Sequence, residues 1–262
     1  MRKEEERFRE SSVMEGMISF RAVIKSIENN SSDRIIERVY IDIARKEKLA
    51  RSLSYIRAMS SKHNFPIEYV SSEVINEITV GTSHGGVVAL TTERTIPVLN
   101  KSHLEACKNG FFVMLCGIED PYNFGYALRS LYASGADGVI LNKRNWMSAA
   151  GVVCRASAGA SELMDIALFD SDTFAEYFHQ NGYRIVCAEL ENSVSCWEAD
   201  LGLPLCLVIG GERRGISASV KGCCDEFVRI DYGRDFPAAL SASAASTVLA
   251  FEVLRQNGKK SV

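Results

Sequence analysis

The sequence is 262 residues long, 47% apolar and 24% charged, with a net charge of −3. These values fit a soluble globular chain with a full-sized core, and they exclude a protein that coats nucleic acid over its whole surface. The longest apolar run, Phe111–Cys116, is too short to span a membrane, and the charged start MRKEEERFRE leads to no apolar signal core. A cytoplasmic protein without membrane contact is therefore expected. Of the eight cysteines none forms CxxC, and Cys116, Cys187 and Cys206 lie in apolar strand-like runs, so reduced buried thiols are expected. His63, His84, His103 and His179 are scattered, which predicts no metal site.

After a charged arm over residues 1–12, Phe20, Val23, Ile24 and Ile27 recur at helical spacing and stop at the Asn29–Asp33 turn cluster. Arg38–Ile43 alternates as a strand does. Lys46–His63 places Leu49, Leu53 and Ile56 on one face of a helix. Ile67–Val70 reads as a strand, Ser72–Ile78 as a helix capped by Ser71 or Ser72, and Gly86–Leu90 as a third strand. Within 34–62 there are eight basic residues (Arg34, Arg38, Arg45, Lys46, Lys48, Arg51, Arg57, Lys62) against three acidic ones. That excess fits a local phosphate-contacting face; a solvated helix surface is the plainer alternative. These elements form a small α/β unit over 13–92, and 93–108, with Pro97 and little pattern, reads as a linker.

The second unit, 109–262, opens on the buried strand Phe111–Cys116. A turn at Asp120–Pro121, a helix over Phe124–Ala133 and a strand at Gly138–Leu141 follow. Met147–Gly159 is rich in small residues. Ile166–Phe169, a helix over Asp172–Asn181 and the strand Arg184–Ala188 make a further βαβ step, and Glu226–Ile230 is another strand. Alternation of this kind implies a parallel sheet covered on both faces. The last helix, Ala242–Gln256, carries Val248, Leu249, Ala250, Phe251, Val253 and Leu254 around nearly its whole circumference, which points to a subunit interface.

The segment Leu205–Ser217, LCLVIGGERRGIS, joins a strand buried on both faces to a glycine turn. In α/β proteins a ligand is placed at such a strand end, and glycine admits backbone to close approach. It is neither GxGxxG nor a phosphate-binding Gly-Lys-Ser/Thr loop. Three blocks then fall in a known order: DPYNFGYALRSLYASGADGVIL (120–141), LVIGGERRGIS (207–217) and RIDYGRDFPAALSASAA (229–245). Together with the Ser157-Ala-Gly-Ala160 run, they resemble the SpoU/TrmH family of RNA ribose 2′-O-methyltransferases of the SPOUT superfamily. The resemblance covers about 109–257, and the preceding unit is similar to the small substrate-binding domain of many members.

The resemblance implies an α/β fold: a parallel-sheet SPOUT domain with a deep C-terminal trefoil knot, preceded by a small α/β substrate-binding domain. It implies S-adenosylmethionine (S-adenosyl-L-methionine) as cofactor, a homodimer, and transfer of a methyl group to a ribose 2′-hydroxyl of structured RNA, ribosomal RNA ahead of transfer RNA. By position, Gly210, Ile230 and Leu240 match residues whose main chain holds the cofactor, with Ile209 and Gly211 beside them. Asn123, Arg129, Glu212 and Ser241 match the polar active-site positions. The family's arginine is a candidate for removing the 2′-hydroxyl proton, but a guanidinium barely deprotonates, and gripping the adjacent phosphate is the easier chemistry for Arg129. Glu212 either pairs with Arg129 or bonds backbone in the glycine turn. Members usually read Ser-Leu-Asn-Val-Ser where this chain has Ala239-Leu240-Ser241-Ala242-Ser243, so Ser241 replaces an asparagine and a non-catalytic RNA-binding protein on the same fold is the rival reading. Ser241 keeps a hydroxyl that can cap the last helix or contact an anion.

Overall fold

A computed structural model describes residues 12–80, 84–142, 149–169 and 174–258. The chain divides into two compact units, one holding the described residues up to Thr95 together with those of Trp146–Leu163, the other holding the rest.

The first unit has a four-stranded sheet in the order β1-β4-β2-β3, from β1 (Val13–Glu15), β2 (Ile36–Asp42), β3 (Ile67–Val70) and β4 (Val87–Thr91). β2 runs antiparallel to β4 and parallel to β3. Helix α1 (Gly16–Glu28) buries Phe20, Val23 and Ile24 at the predicted spacing. Helix α2 starts at Ala50, four residues later than the sequence suggests. The stretch before it makes a turn of 3-10 helix in which the Asp42 carboxylate accepts the Ala44 N–H at 3.0 Å. Helix α3 (Ser72–Ile78) follows Ser71, whose hydroxyl makes no capping bond; Ser72 Oγ donates instead to Asp42 Oδ2 at 2.9 Å. Val13–Glu15 went unread because it lies against the charged arm, and only its pairing with β4 makes it a strand.

Helices α6 (Ala150–Ala156) and α7 (Ala160–Leu163), numbered in chain order after α4 and α5 of the second unit, pack in the first unit. Their small residues allow this. A Cβ on Gly151 would meet the Val13 carbonyl oxygen at 2.0 Å, and one on Gly159 would meet Ala22 Cβ at 2.6 Å. Two ion pairs hold the same segment. Arg155 donates to Glu15, and Arg34 meets Glu162 through Nε at 2.8 Å and Nη2 at 3.3 Å, with side-chain exposures of 1% and 0%. Arg34 Nη1 also donates to the Thr92 carbonyl at 2.6 Å. Arg34 is thus a core residue and leaves the basic face. Arg38 and Lys62 are paired with Glu68 and Glu28 on the surface. Lys48 and Arg51 are exposed, and no ion-pair partner is found for them among the described residues.

The second unit is built on a seven-stranded sheet in the order β7-β6-β5-β10-β8-β11-β9, every neighbouring pair parallel. Its strands are β5 (Phe111–Cys116), β6 (Gly138–Leu141), β7 (Asp165–Leu168), β8 (Arg184–Ala188), β9 (Val194–Ser195), β10 (Leu205–Gly210) and β11 (Glu226–Arg229). β5 is buried at all six positions because β10 and β6 flank it and helices cover its faces, as its unbroken apolar run requires. The stretch expected to be a plain linker carries helix α4 (Lys101–Glu105), capped by Asn100, with Leu99 and Leu104 buried. Helix α5 begins at Pro121, not Phe124. Asp120 is its N-cap, accepting the Asn123 N–H at 2.7 Å, and proline at the first helical position forfeits no bond. Helix α8 (Phe174–Gln180) and the short α9 (Ala218–Lys221) precede the last helix, α10 (Ala242–Asn257).

Part of the apolar circumference of α10 is used inside its own unit, where it packs on α5, while Val248 and Leu254 are half-buried. Leu249, Ala250 and Val253 are buried and Phe251 is 44% exposed. The cysteines depart from expectation. Cys187 on β8 and Cys224 before β11 form a disulfide, while Cys116, Cys154, Cys196 and Cys206 are free and buried. The two partners are 37 residues apart in sequence and meet only because β8 and β11 are neighbours.

Truncating one partner of a buried ion pair leaves an uncompensated charge, at a cost of about 3–5 kcal/mol, whereas replacing both by apolar groups costs far less. Arg34→Met and Glu162→Leu singly are expected to lower the urea midpoint strongly, and the double variant to recover much of the loss. A double variant at the sum of the two singles would show that the ion pair is not what makes the singles costly.

Candidate functional site

In the second sheet the chain runs from β5 outward to β6 and β7, then crosses to β8 on the far side of β10. The strand order reverses between β5 and β10, and a crevice outside the carboxyl ends of two such strands is where open α/β sheets receive ligands.

Four segments meet there. β5 ends in Cys116 and Gly117, the latter at φ +67°. β10 ends in the turn Gly210–Gly215, which closes with Gly215 N–H donating to the Gly211 carbonyl at 3.0 Å. Gly211 N–H donates to the Cys116 carbonyl at 2.6 Å, and a Cβ at Gly211 would lie 2.0 Å from the Gly117 oxygen. A Cβ at Gly210 would meet the Gly215 carbonyl carbon at 2.7 Å. Both glycines are therefore required by the approach of the chain's own backbone.

The third and fourth segments are the starts of α5 and α10. Glu212 Oε1 accepts from Asn123 Nδ2 at 3.3 Å and from Ala242 N–H at 3.0 Å. Ser241 is the N-cap of α10, accepting from Ala244 N–H at 3.2 Å and lying 3.0 Å from Ser243 Oγ. Ser243 Oγ donates to Asn123 Oδ1 at 3.4 Å, and Thr247 Oγ1 donates to Ser130 Oγ at 2.7 Å one turn further on. Glu212 thus takes neither role open to it in the sequence: among the described residues it pairs with no arginine and bonds no backbone of its own turn. Its carboxylate sits at the N-terminus of a 16-residue helix, where the unpaired N–H groups and the helix dipole favour negative charge.

Asn123, Glu212, Ser241 and Gly211 are brought together; Arg129 is not part of this cluster. Six residues after Asn123, it is turned about 120° round α5, is exposed, and has no hydrogen-bond or ion-pair partner among the described residues. Ile209 is buried in β10, at 1% exposure. Leu240 N–H donates to Tyr232 Oη at 3.0 Å, closing the loop 231–240. Ile230, half-buried just past β11, has a main-chain N–H and C=O that bond no other described residue. Cys116 offers no nucleophile, since burial pushes its thiol up to about 12. Among the described residues there is no cluster of three His, Cys, Asp or Glu that could hold a metal, and no helix long and apolar enough to cross a membrane. A cleft of about 740 Å³, lined by Phe111, Tyr132, Leu203 and Leu254 among others, lies at the opposite end of β5.

The sequence missed Asp120, Gly117 and Tyr232. Asp-Pro ahead of an apolar periodic run is a cap signal that could have found the first; the others are set by contacts made across the sheet and the loop.

Residues 110–251, more than half of the chain, match the family model described as SpoU rRNA Methylase, and residues 20–97 match that for RNA 2′-O ribose methyltransferase substrate binding. The chain belongs to the SpoU rRNA methylase family. That membership makes it an RNA 2′-O-methyltransferase, and SpoU enzymes use S-adenosylmethionine. It is 28% identical to the 23S rRNA (guanosine-2′-O-)-methyltransferase RlmB of Shewanella oneidensis, over 89% of this chain and 94% of that one. It is 39% identical to a putative TrmH family tRNA/rRNA methyltransferase of Staphylococcus saprophyticus, a match confined to 55% of this chain and 58% of that protein. The fold matches that of an AdoMet-bound rRNA methyltransferase from Sinorhizobium meliloti, with a TM-score of 0.76 at 21% identity, over 93% and 87% of the two chains. It also matches AviRb of Streptomyces viridochromogenes in complex with AdoMet, with a TM-score of 0.72 at 18% identity, over 93% and 89%. This SpoU chain thus has the parallel-sheet α/β fold with a substrate-binding domain ahead of it.

The backbone contacts make a sharp prediction about the turn. Overpacking of this kind costs about 1–3 kcal/mol or more. Gly211→Ala is therefore expected to lower the unfolding midpoint markedly, while Gly233→Ala, where an added Cβ meets nothing within 4 Å, is expected to leave it unchanged. Denaturant titrations of both variants check this; equal midpoints would contradict the packing described.

Proposed function

We propose that this SpoU protein transfers the methyl group of S-adenosylmethionine to a ribose 2′-hydroxyl of ribosomal RNA, acting as a homodimer. The observation that carries the proposal is the convergence of the glycine turn and two capped helix starts at the switch point of the sheet. A relative that aligns along nearly its whole length is a 23S rRNA enzyme, which supports ribosomal RNA over transfer RNA.

In this reading Gly210, Gly211, Ile230 and Leu240 hold the cofactor by main-chain groups, with the Ile209 side chain in the core behind them. The bound cofactor supplies an electrophilic methyl group; the chain's task is to hold the ribose in line with it and keep water out. Glu212 and Ser241 are organisers: Glu212 Oε1 accepts from the Ala242 N–H and Ser241 Oγ from the Ala244 N–H at the start of α10. Substituting Ser241 for asparagine therefore leaves a helix cap in place, and a cap is worth about 1 kcal/mol. Arg129, exposed and without a side-chain partner among the described residues, is suited to gripping the phosphate beside the target ribose with a bidentate pair of hydrogen bonds, which orients the hydroxyl without taking its proton.

The segment 13–92 of the first unit presents the exposed Lys48 and Arg51 to RNA, and the chemistry is carried within 109–262 by residues of the second unit. A second copy covers the apolar surface left by Tyr126 on α5 and Phe251 on α10, which are 49% and 44% exposed on two helices that pack together. In this reading the C-terminal segment is drawn through a loop of the same unit as a trefoil knot, as in the SPOUT fold it resembles. A cytoplasmic location fits an enzyme of this substrate class.

Methyl transfer under single turnover to protein-free ribosomal RNA and to bulk transfer RNA tests the proposal. Transfer to ribosomal RNA is expected, with Arg129→Ala slower by about a hundredfold or more and Ser241→Ala slower by only a few-fold. Transfer to transfer RNA alone would contradict the ribosomal reading, and no transfer with RNA binding intact would favour the non-catalytic rival.

A further inference from the structure

The turn after β10 has two faces. Glu212 is directed to the start of α10, while the next two residues, Arg213 and Arg214, are 82% and 78% exposed in their side chains. Both approach one carboxylate. Arg213 Nη1 lies 3.3 Å from Glu119 Oε2 and Arg214 Nε lies 3.4 Å from Glu119 Oε1. These distances exceed the roughly 2.7–2.9 Å of a well-made charge-assisted bond, and neither arginine engages both oxygens. One carboxylate with an arginine on each oxygen presents the outline of a phosphodiester, whose two unesterified oxygens also share one charge.

Three observations make this pair more than a solvated tip. The turn is closely packed: it is closed by the bond from Gly215 N–H to the Gly211 carbonyl and fastened to the end of β5 by the bond from Gly211 N–H to the Cys116 carbonyl. Its position is adjacent to the site, since Arg213 follows Glu212 directly and consecutive Cα atoms are about 3.8 Å apart. The neighbouring acids do not cancel it, because Asp120 and Glu212 are each committed to the N–H groups of a helix start, whose dipole offsets part of their charge. That leaves two guanidinium groups facing one exposed carboxylate, at the mouth of a site whose substrate carries a phosphate on each side of the reacting ribose.

We propose that Arg213 and Arg214 form a clamp for an RNA phosphate next to the target nucleotide, and that Glu119 holds the clamp's place until RNA arrives. This rests on the methyltransferase reading for the identity of the substrate and extends it to residues outside the Asn123–Glu212–Ser243 cluster. RNA binding exchanges Glu119 for a phosphate, so the carboxylate works against affinity while keeping the two side chains aimed.

The test uses the full-length protein and protein-free ribosomal RNA, with binding measured by fluorescence anisotropy over a range of salt concentrations. Arg213→Gln with Arg214→Gln is expected to weaken binding by about tenfold or more and to make the salt dependence shallower by roughly one to two counterions. Glu119→Gln is expected to do the opposite and tighten binding a few-fold. A merely structural role for the ion pairs would make both variants weaker. Calorimetry with S-adenosylmethionine is expected to give wild-type affinity for both, which separates loss of the clamp from collapse of the turn. Wild-type affinity and salt slope in the double variant, or weaker binding in Glu119→Gln, would overturn the proposal. Neither readout needs turnover, so an enzyme that methylates while the clamp variants bind normally refutes the clamp alone. An inactive wild type whose clamp variants behave as expected refutes the methyltransferase reading and leaves the clamp standing.

Discussion

The site depends on one carboxylate. Glu212 leaves a glycine turn at the end of β10 and accepts from the first turn of α10 and from Asn123 on α5. Without it the starts of two helices, the 13-residue α5 and the 16-residue α10, would share no anchor on the turn that separates them in space. The glutamate can reach only because the turn is pressed against the end of β5. That approach in turn requires Gly210 and Gly211, where backbone occupies the space a Cβ would need, and Gly117, which is held at φ +67°. Helix charge, hydrogen bonding and steric closeness all act on the same few residues.

The same logic accounts for the departure in the third sequence block. A hydroxyl at Ser241 meets the requirement of the helix start, because capping asks only for a short side chain that accepts a hydrogen bond. The neighbouring Ser243 supplies the contact to Asn123. Two serines divide between them the polar contacts at this end of α10, and the position remains compatible with an active enzyme.

Much of this was legible in the sequence. The buried runs at Phe111–Cys116 and Leu205–Gly210 read as parallel strands because burial on both faces leaves no polar alternation to confuse the period. The glycine turn and the three ordered blocks pointed to the site and the family. What stayed hidden depends on contacts between distant segments. Arg34 looked like part of a basic surface and is instead sealed against Glu162, a partner 128 residues away. Leu249 looked like an interface residue and is consumed by packing within its own unit. The Cys187–Cys224 disulfide needed the adjacency of β8 and β11. Glu212 offered two partners in the sequence and took a third, because a helix start that arrives 30 residues later competes better for a carboxylate than either.

The central claim is that the crevice between β5 and β10, fastened by Glu212, receives the adenosyl cofactor. A crystal structure of the protein grown with S-adenosylmethionine tests it most directly. Cofactor density against the Gly210–Gly211 turn and the main chain of Ile230 and Leu240 is the predicted result. Density confined to the 740 Å³ cleft at the other end of β5, beside Phe111 and Leu203, would contradict it.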